Sequence, residues 1–291
     1  MNGNVAYSAK KEDLFFPCRN AKFFSAGAPK SDSALCAELA RLAYCRSDSN
    51  FAFNQVRITT ELARIGFTVA GFFESRGTPD GRGTHCFLAV RSDQQLAVVA
   101  FRGTDAGDPT DVADDIDAVP VHWDHGGNVH RGFKTALAQL VGLEQALQAI
   151  AGRVLFTGHS LGASLATLLA SIKAPSALYT FGSPLVGDSD FVDALKNIKN
   201  FRYVDCCDVV TRIPPEPLGY QHVGKPYYIA RDRSVTFDPG ETSIAQDRFQ
   251  AFLEYPIKYH AWRGDNVGVR ELADHAPVNY VSAVMAATSP S

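Results

Sequence analysis

A serine hydroxyl becomes a useful nucleophile only when a neighbouring base can take its proton and its backbone holds it where a substrate can reach. Ser160 meets the local part of that requirement in the pentapeptide Gly158-His159-Ser160-Leu161-Gly162. A short apolar run, Val154 to Phe156, precedes it, and helical spacing follows it to Ala170. A strand that turns sharply into a helix forces the middle residue into strained backbone angles. Cβ atoms at the flanking glycines would then crowd adjacent backbone. The hydroxyl stands at the apex, beside the unpaired N–H groups that open a helix, where developing negative charge is stabilised. Ser and Gly also make ordinary turns, so a plain strand-turn-helix junction is the competing reading, and the flanking strand and helix weigh against it.

The rest of the chain supplies elements that could position such a serine. Ser31 opens an amphipathic helix with Leu35, Leu39 and Leu42 on one face. A short helix stopped at Gly66 leads into strand-like residues, and two β-rich runs joined at Ser92 to Gln95 follow. A helical pattern covers Gly132 to Ile150, and strand-like and helical segments then alternate through "SALYTFGSP", Phe191 to Ile198 and "FRYVDCCD". This alternation predicts an α/β fold with a mostly parallel sheet, crossover helices and an antiparallel edge. Residues 1–30 show aromatic pairs without periodicity and read as an irregular arm, leaving 31–291 as one domain.

Bulk composition excludes more than it selects. A formal net charge of -3 with 20% charged residues gives no broad attraction to nucleic acid or an anionic membrane. The six cysteines (Cys18, Cys36, Cys45, Cys86, Cys206, Cys207) are spaced for neither a disulfide framework nor a zinc site, and read as mostly buried thiols. No apolar run reaches the length of a membrane span, and the first residues lack the apolar core of a secretory signal. No cofactor is expected, and the oligomeric state is open.

Several motifs in one order, from about Gly66 to Tyr280, resemble the fungal-type class 3 lipases, a branch of the α/β-hydrolases: "AFRGTD", "NVHRGF", "FTGHSLGASLA", "YTFGSPLVGD" and "DVVTRIPP". The resemblance implies an α/β-hydrolase fold with a lid or cap insertion and a Ser-Asp-His triad that cleaves esters of acylglycerols through an acyl-enzyme. It assigns Ser160 as nucleophile, Asp208 as acid, and the backbone N–H groups of Thr104 and Leu161 as the oxyanion hole. Asp205 is the rival acid, but it sits inside the strand "FRYVD", whereas Asp208 falls beyond its C-terminal end. Chain order leaves His222, His260 and His275 as candidate bases. His275, in "ADHAPVNYV" just before a helix, is favoured, with His260 as its rival and His222 read as structural. His130 and His159 match positions that brace the elbow.

In such proteins a lid lies between the oxyanion loop and the "NVHRGF" element. Here that interval carries Asp105, Asp108, Asp111, Asp114 and Asp117 at every third residue. It lacks the EF-hand pattern and reads as a solvated helix face, with Val112, Ile116, Val119, Pro120, Val121 and Trp123 available for an inner surface. A second insertion is expected at about 218–262. There, Ser243 and Gln246 suggest a capping box, Ala245, Phe249, Phe252 and Leu253 form one face, and Pro256 should end the helix. That helix either packs on the core or caps an acyl pocket and opens at a lipid-water interface. Triacylglycerol lipase, short-chain carboxylesterase, phospholipase A1 and feruloyl esterase share this machinery, and a disused lipase-like binding module is the alternative from another class.

Overall fold

In the computed structural model the described residues are 5–287, apart from 20, 26, 48–50, 76–82 and 104–118. In chain order the strands are β1 (Thr68–Glu74), β2 (His85–Arg91), β3 (Leu96–Phe101), β4 (Pro120–His122), β5 (Asn128–His130), β6 (Arg153–His159), β7 (Ala177–Phe181), β8 (Asn200–Asp205), β9 (Pro226–Ile229) and β10 (Val235–Phe237). All but the β4-β5 pair join one sheet of order β1-β2-β3-β6-β7-β8-β9-β10. The run from β3 through β6, β7 and β8 to β9 is parallel, while β1-β2-β3 and β9-β10 are antiparallel. The expected mostly parallel sheet is therefore present, with antiparallel strands at both edges rather than one.

Parallel strands need cover on both faces, and the strand residues divide accordingly. On β3, Val98 and Ala100 enter one apolar cluster while Ala97, Val99 and Phe101 enter the other. The first cluster packs under α2 (Asp32–Leu42) and a C-terminal helix, Pro277–Ala286. The second packs under Arg131–Ala138, Leu143–Gln148 and Leu161–Ile172. We number the helices α1 (Lys11–Phe15), α2, α3 (Gln55–Ala63), α4 (Arg131–Ala138), α5 (Leu143–Gln148), α6 (Leu161–Ile172), α7 (Ser189–Ala194), α8 (Glu241–Lys258), α9 (Arg270–Ala273) and α10 (Pro277–Ala286).

Several local expectations need correction. Helix α2 starts as read, with Ser31 accepting a hydrogen bond from the Ala34 N–H, but it is buried on nearly every side. Its Glu38 and Arg41 form a buried ion pair at 2.7 Å instead of a solvated face. The long helical pattern from Gly132 is two helices, α4 and α5, because Gly142 adopts φ +86° between them. The N-terminal arm is not wholly irregular, since α1 forms, and Ser8 and Asn279 bond to each other through backbone and side chain at 2.7 and 2.8 Å.

The N-cap of helix α8 is Gly240, three residues before the expected cap Ser243, and the helix runs through Pro256. Proline removes one backbone donor, which leaves the Phe252 carbonyl without its helical partner. Phe252 and Pro256 both face solvent, so water can serve that carbonyl. The helix packs through Ala251 and Tyr255, while Phe249, Phe252 and Leu253 are all more than half exposed. These three side chains therefore point to solvent, and the helix is seated by the opposite face. Trp123 belongs to the core and donates to Ser171 Oγ at 2.8 Å rather than lining a loose lid. Val112, Ile116 and the acidic repeat from Asp105 to Asp117 lie outside the described residues. Among the described residues no helix is long and apolar enough to cross a membrane.

The cysteine reading also changes: Cys18 and Cys45 form a disulfide, and the other four are free and buried. The bridge ties the N-terminal arm to the end of α2 across 27 residues of sequence. Titration of the unfolded, unreduced protein should therefore find four reactive thiols. Cys45→Ala should lower unfolding free energy by about 3 kcal/mol in a denaturant titration. Six reactive thiols before reduction would show that the bridge does not form.

Candidate active site

Ser160 sits between β6 and α6 at φ 58° and ψ -131°, a left-handed conformation that costs a non-glycine residue on the order of 1–3 kcal/mol. The turn is possible because of its flanking glycines. A Cβ on Gly158 would fall 2.2 Å from the Gly162 carbonyl oxygen, and one on Gly162 would fall 2.5 Å from that of Phe101. The Ser160 N–H donates to the Phe181 carbonyl at 3.0 Å, so neighbouring β7 helps hold the strained residue.

Ser160 Oγ lies 3.0 Å from His275 Nε2. His275 Nδ1 lies 2.9 and 3.0 Å from the two carboxylate oxygens of Asp208. Because a carboxylate only accepts, Nδ1 carries the proton, and Nε2 is left to accept from the serine hydroxyl. All three residues are buried to 4% exposure or less. Leu161 is the first residue of α6, where no carbonyl of its own helix can accept its N–H. Thr104 lies outside the described residues.

The rival residues stand elsewhere. Asp205, at the end of β8, is fully buried and accepts from Arg233 Nη1 at 2.8 and 2.9 Å, so it is a hydrogen-bonded strand-end carboxylate. Burial pushes its carboxyl up, and the Arg233 guanidinium pulls it back down. His222 donates through Nε2 to the Thr211 carbonyl at 2.8 Å, and burial together with nearby Arg202 lowers its pKa to about 3. His260 is exposed and packs edge-on against Trp262. His130 caps α4, accepting from the Gly132 N–H at 3.1 Å, and stacks on Phe133.

Tertiary partners that periodicity cannot reveal complete the cluster. The Tyr280 hydroxyl donates to Asp208 Oδ2 and accepts from the Asp205 N–H at 3.1 Å. Burial, then the charge of Asp208, pushes that phenol well above its ordinary pKa and keeps it a donor. His159, held neutral chiefly by burial, donates from Nε2 to the His275 carbonyl at 2.8 Å and accepts at Nδ1 from Tyr44, 2.7 Å away.

The residues just before Asp208 and His275 are themselves joined. Asp274 accepts from the Cys207 N–H at 3.0 Å, from Arg270 Nε at 3.0 Å and from the Tyr7 hydroxyl at 2.8 Å. Cys206, Cys207 and Asp274 offer potential metal-ligand atoms within 4.8 Å of one another. However, the Cys207 N–H, Arg270 and Tyr7 already engage the Asp274 carboxylate, and Cys206 Sγ donates to Asp247 at 3.3 Å, so the group is a hydrogen-bonded tether.

The family model described as lipase (class 3) matches residues 98–218, which contain Ser160 and Asp208. Over that stretch the chain is similar to the class 3 lipases. The Rhizomucor miehei lipase is 29% identical over 172 residues, covering 53% of this chain and 47% of that protein. The toxin TseL of Vibrio cholerae is 32% identical over 170 residues, covering 53% of this chain and 26% of that protein. The chain thus spans about half of the first curated relative and about a quarter of the second. The solved lipase II from Rhizopus niveus superposes with a TM-score of 0.55 at 25% identity, over 67% of this chain and 78% of that one. The sheet and its helices are those of the α/β-hydrolase fold of fungal lipases.

Removing the tether should be costly. Asp274→Ala would leave Arg270, which is 1% exposed, without its buried counter-charge. Breaking one side of such a pair costs about 3–5 kcal/mol. A loss under about 1 kcal/mol in chemical denaturation would show that the tether carries little of the local stability.

Proposed function

We propose that this protein is a serine hydrolase of carboxylic esters and that acylglycerols are its substrate class. The observation that carries the reading is the continuous hydrogen-bonded line from Ser160 Oγ through His275 to Asp208. Ser160 attacks the ester carbonyl while His275 Nε2 takes the hydroxyl proton. Asp208 holds the imidazole in the required tautomer and stabilises the imidazolium. The carbonyl electrons move onto oxygen, where the Leu161 N–H at the head of α6 donates to the oxyanion, and the backbone N–H of Thr104 is the second donor in this proposal.

Collapse of the tetrahedral intermediate expels the alcohol, which receives its proton from His275, and leaves an acyl group on Ser160. Water, deprotonated by the same imidazole, then attacks the acyl carbonyl and releases the acid. Tyr280 and His159 act as positioning residues, one on the carboxylate of Asp208 and the other on the backbone of His275. Tyr280 fixes the acid, and His159 keeps the base aligned with the serine.

Hydrolysis of p-nitrophenyl esters from acetate to palmitate, with triacylglycerol emulsions and phosphatidylcholine alongside, tests both parts. Ser160→Ala should lower kcat by about 10³-fold or more on every ester, and long-chain acylglycerols should be the preferred substrates. Full activity in Ser160→Ala would overturn the mechanism. A preference for acetate or for phosphatidylcholine would keep the mechanism and replace the substrate class.

A further inference from the structure

On β8, Phe201 and Tyr203 pack into the cluster beneath α2, so Arg202 and Val204 point to the opposite face. Arg202 is 8% exposed, an unusual place for a guanidinium. Its Nε donates to the Gly224 carbonyl at 3.2 Å, yet among the described residues no carboxylate lies within ion-pair distance. Burial lowers its pKa only to about 10, so its charge persists at neutral pH. Neighbouring His222 is neutral there, so it offers Arg202 no counter-charge.

Arg202 lines a cavity of about 830 Å³ between β8, β9 and the start of α8. Arg212, Lys225 and Arg248 also line it, against two acids, Asp238 and Glu241. Lys225 and Asp238 pair with each other at 3.2 Å, and Arg248 donates to the Cys206 carbonyl at 2.7 Å. Cations therefore outnumber acids by two around the cavity. Gly240 opens α8 at the same wall without a side-chain cap, so the first N–H groups of an 18-residue helix add to the positive potential. Leu185, Val204, Tyr228 and Ile244 give part of the wall an apolar surface.

We propose that this cavity is a second binding site that takes the oxyanion head of an amphiphile, a carboxylate or phosphate on an alkyl chain. Arg202 holds the head, Arg212 and Arg248 supply further positive charge, and the chain runs along the apolar wall. A planar guanidinium with unused Nη donors suits such a head, and the mixed lining excludes a purely apolar or cationic ligand. Thr211 also lines the cavity, and its hydroxyl donates to the Asp208 backbone carbonyl at 2.8 Å. The site therefore adjoins the loop that carries the triad acid. It goes beyond ester cleavage and is tested without turnover.

Calorimetric titration with dodecyl phosphate, dodecanoate, inorganic phosphate and dodecyltrimethylammonium, each below its micelle concentration, separates the alternatives. The two alkyl anions should bind, Arg202→Gln should weaken them by about tenfold or more, and the ammonium should not bind. The double variant Arg212→Gln/Lys225→Gln, altered only at exposed positions, should weaken the alkyl anions and flatten their salt dependence even if Arg202→Gln fails to fold. Unchanged affinity in the double variant, equal binding of the ammonium, or no binding of either alkyl anion overturns the proposal. Inorganic phosphate binding as tightly as dodecyl phosphate would overturn the amphiphile assignment in favour of a free-anion site.

Discussion

The hydrogen bond from the Cys207 amide to the buried Asp274 carboxylate is the constraint on which the site's geometry depends. Each partner is the immediate chain neighbour of Asp208 or His275, so this contact, with the Val209 N–H bonded to the Glu271 carbonyl, ties the loop after β8 to α9 and the segment between α9 and α10. Arg270 and the Tyr7 hydroxyl share the same carboxylate, which makes the N-terminal arm part of the site's support. A buried charge held by three donors resists displacement, because any partner lost leaves it underpaired at low dielectric.

The strain at Ser160 is the complementary half of the arrangement. The elbow stores unfavourable backbone angles that the surrounding sheet must over-determine, and it does so through the parallel neighbours β3 and β7. Gly162 lies so near β3 that a Cβ there would overlap the Phe101 carbonyl, and the Ser160 N–H is taken by Phe181 of β7. Ser160, His275 and Asp208 thus rest on separate loops at one end of a rigid sheet. Their alignment is a property of the whole fold more than of any single motif.

Much of this was legible because the relevant physics is local. The strand-turn-helix around Ser160, the Ser31 cap and the Gly66 stop each depend on neighbours within a few residues. Longer spacing patterns were less informative. The helical periodicity from Gly132 reads straight through the break at Gly142, and Pro256 is tolerated because its unpaired carbonyl partner faces solvent. The Cys18–Cys45 bridge could not be read, since cysteine spacing does not fix pairing. Nor could Tyr44, Asp274 and Tyr280 be assigned their hydrogen bonds, because those partners come from remote elements. Choosing Asp208 over Asp205 rested on resemblance to a family and on its place past the end of a strand, and choosing His275 over His260 and His222 rested on that resemblance and on chain order. The structure places Asp208 and His275 in contact and pairs Asp205 with Arg233.

The central claim is that Ser160 is a nucleophile activated by His275, and covalent trapping tests it most directly. Treatment with a p-nitrophenyl alkylphosphonate should release one equivalent of p-nitrophenol per chain and leave the phosphonyl group on the peptide containing Ser160. In His275→Ala the labelling rate should fall by about 10³-fold or more. Label on another residue, or trapping at an unchanged rate without His275, would contradict the account.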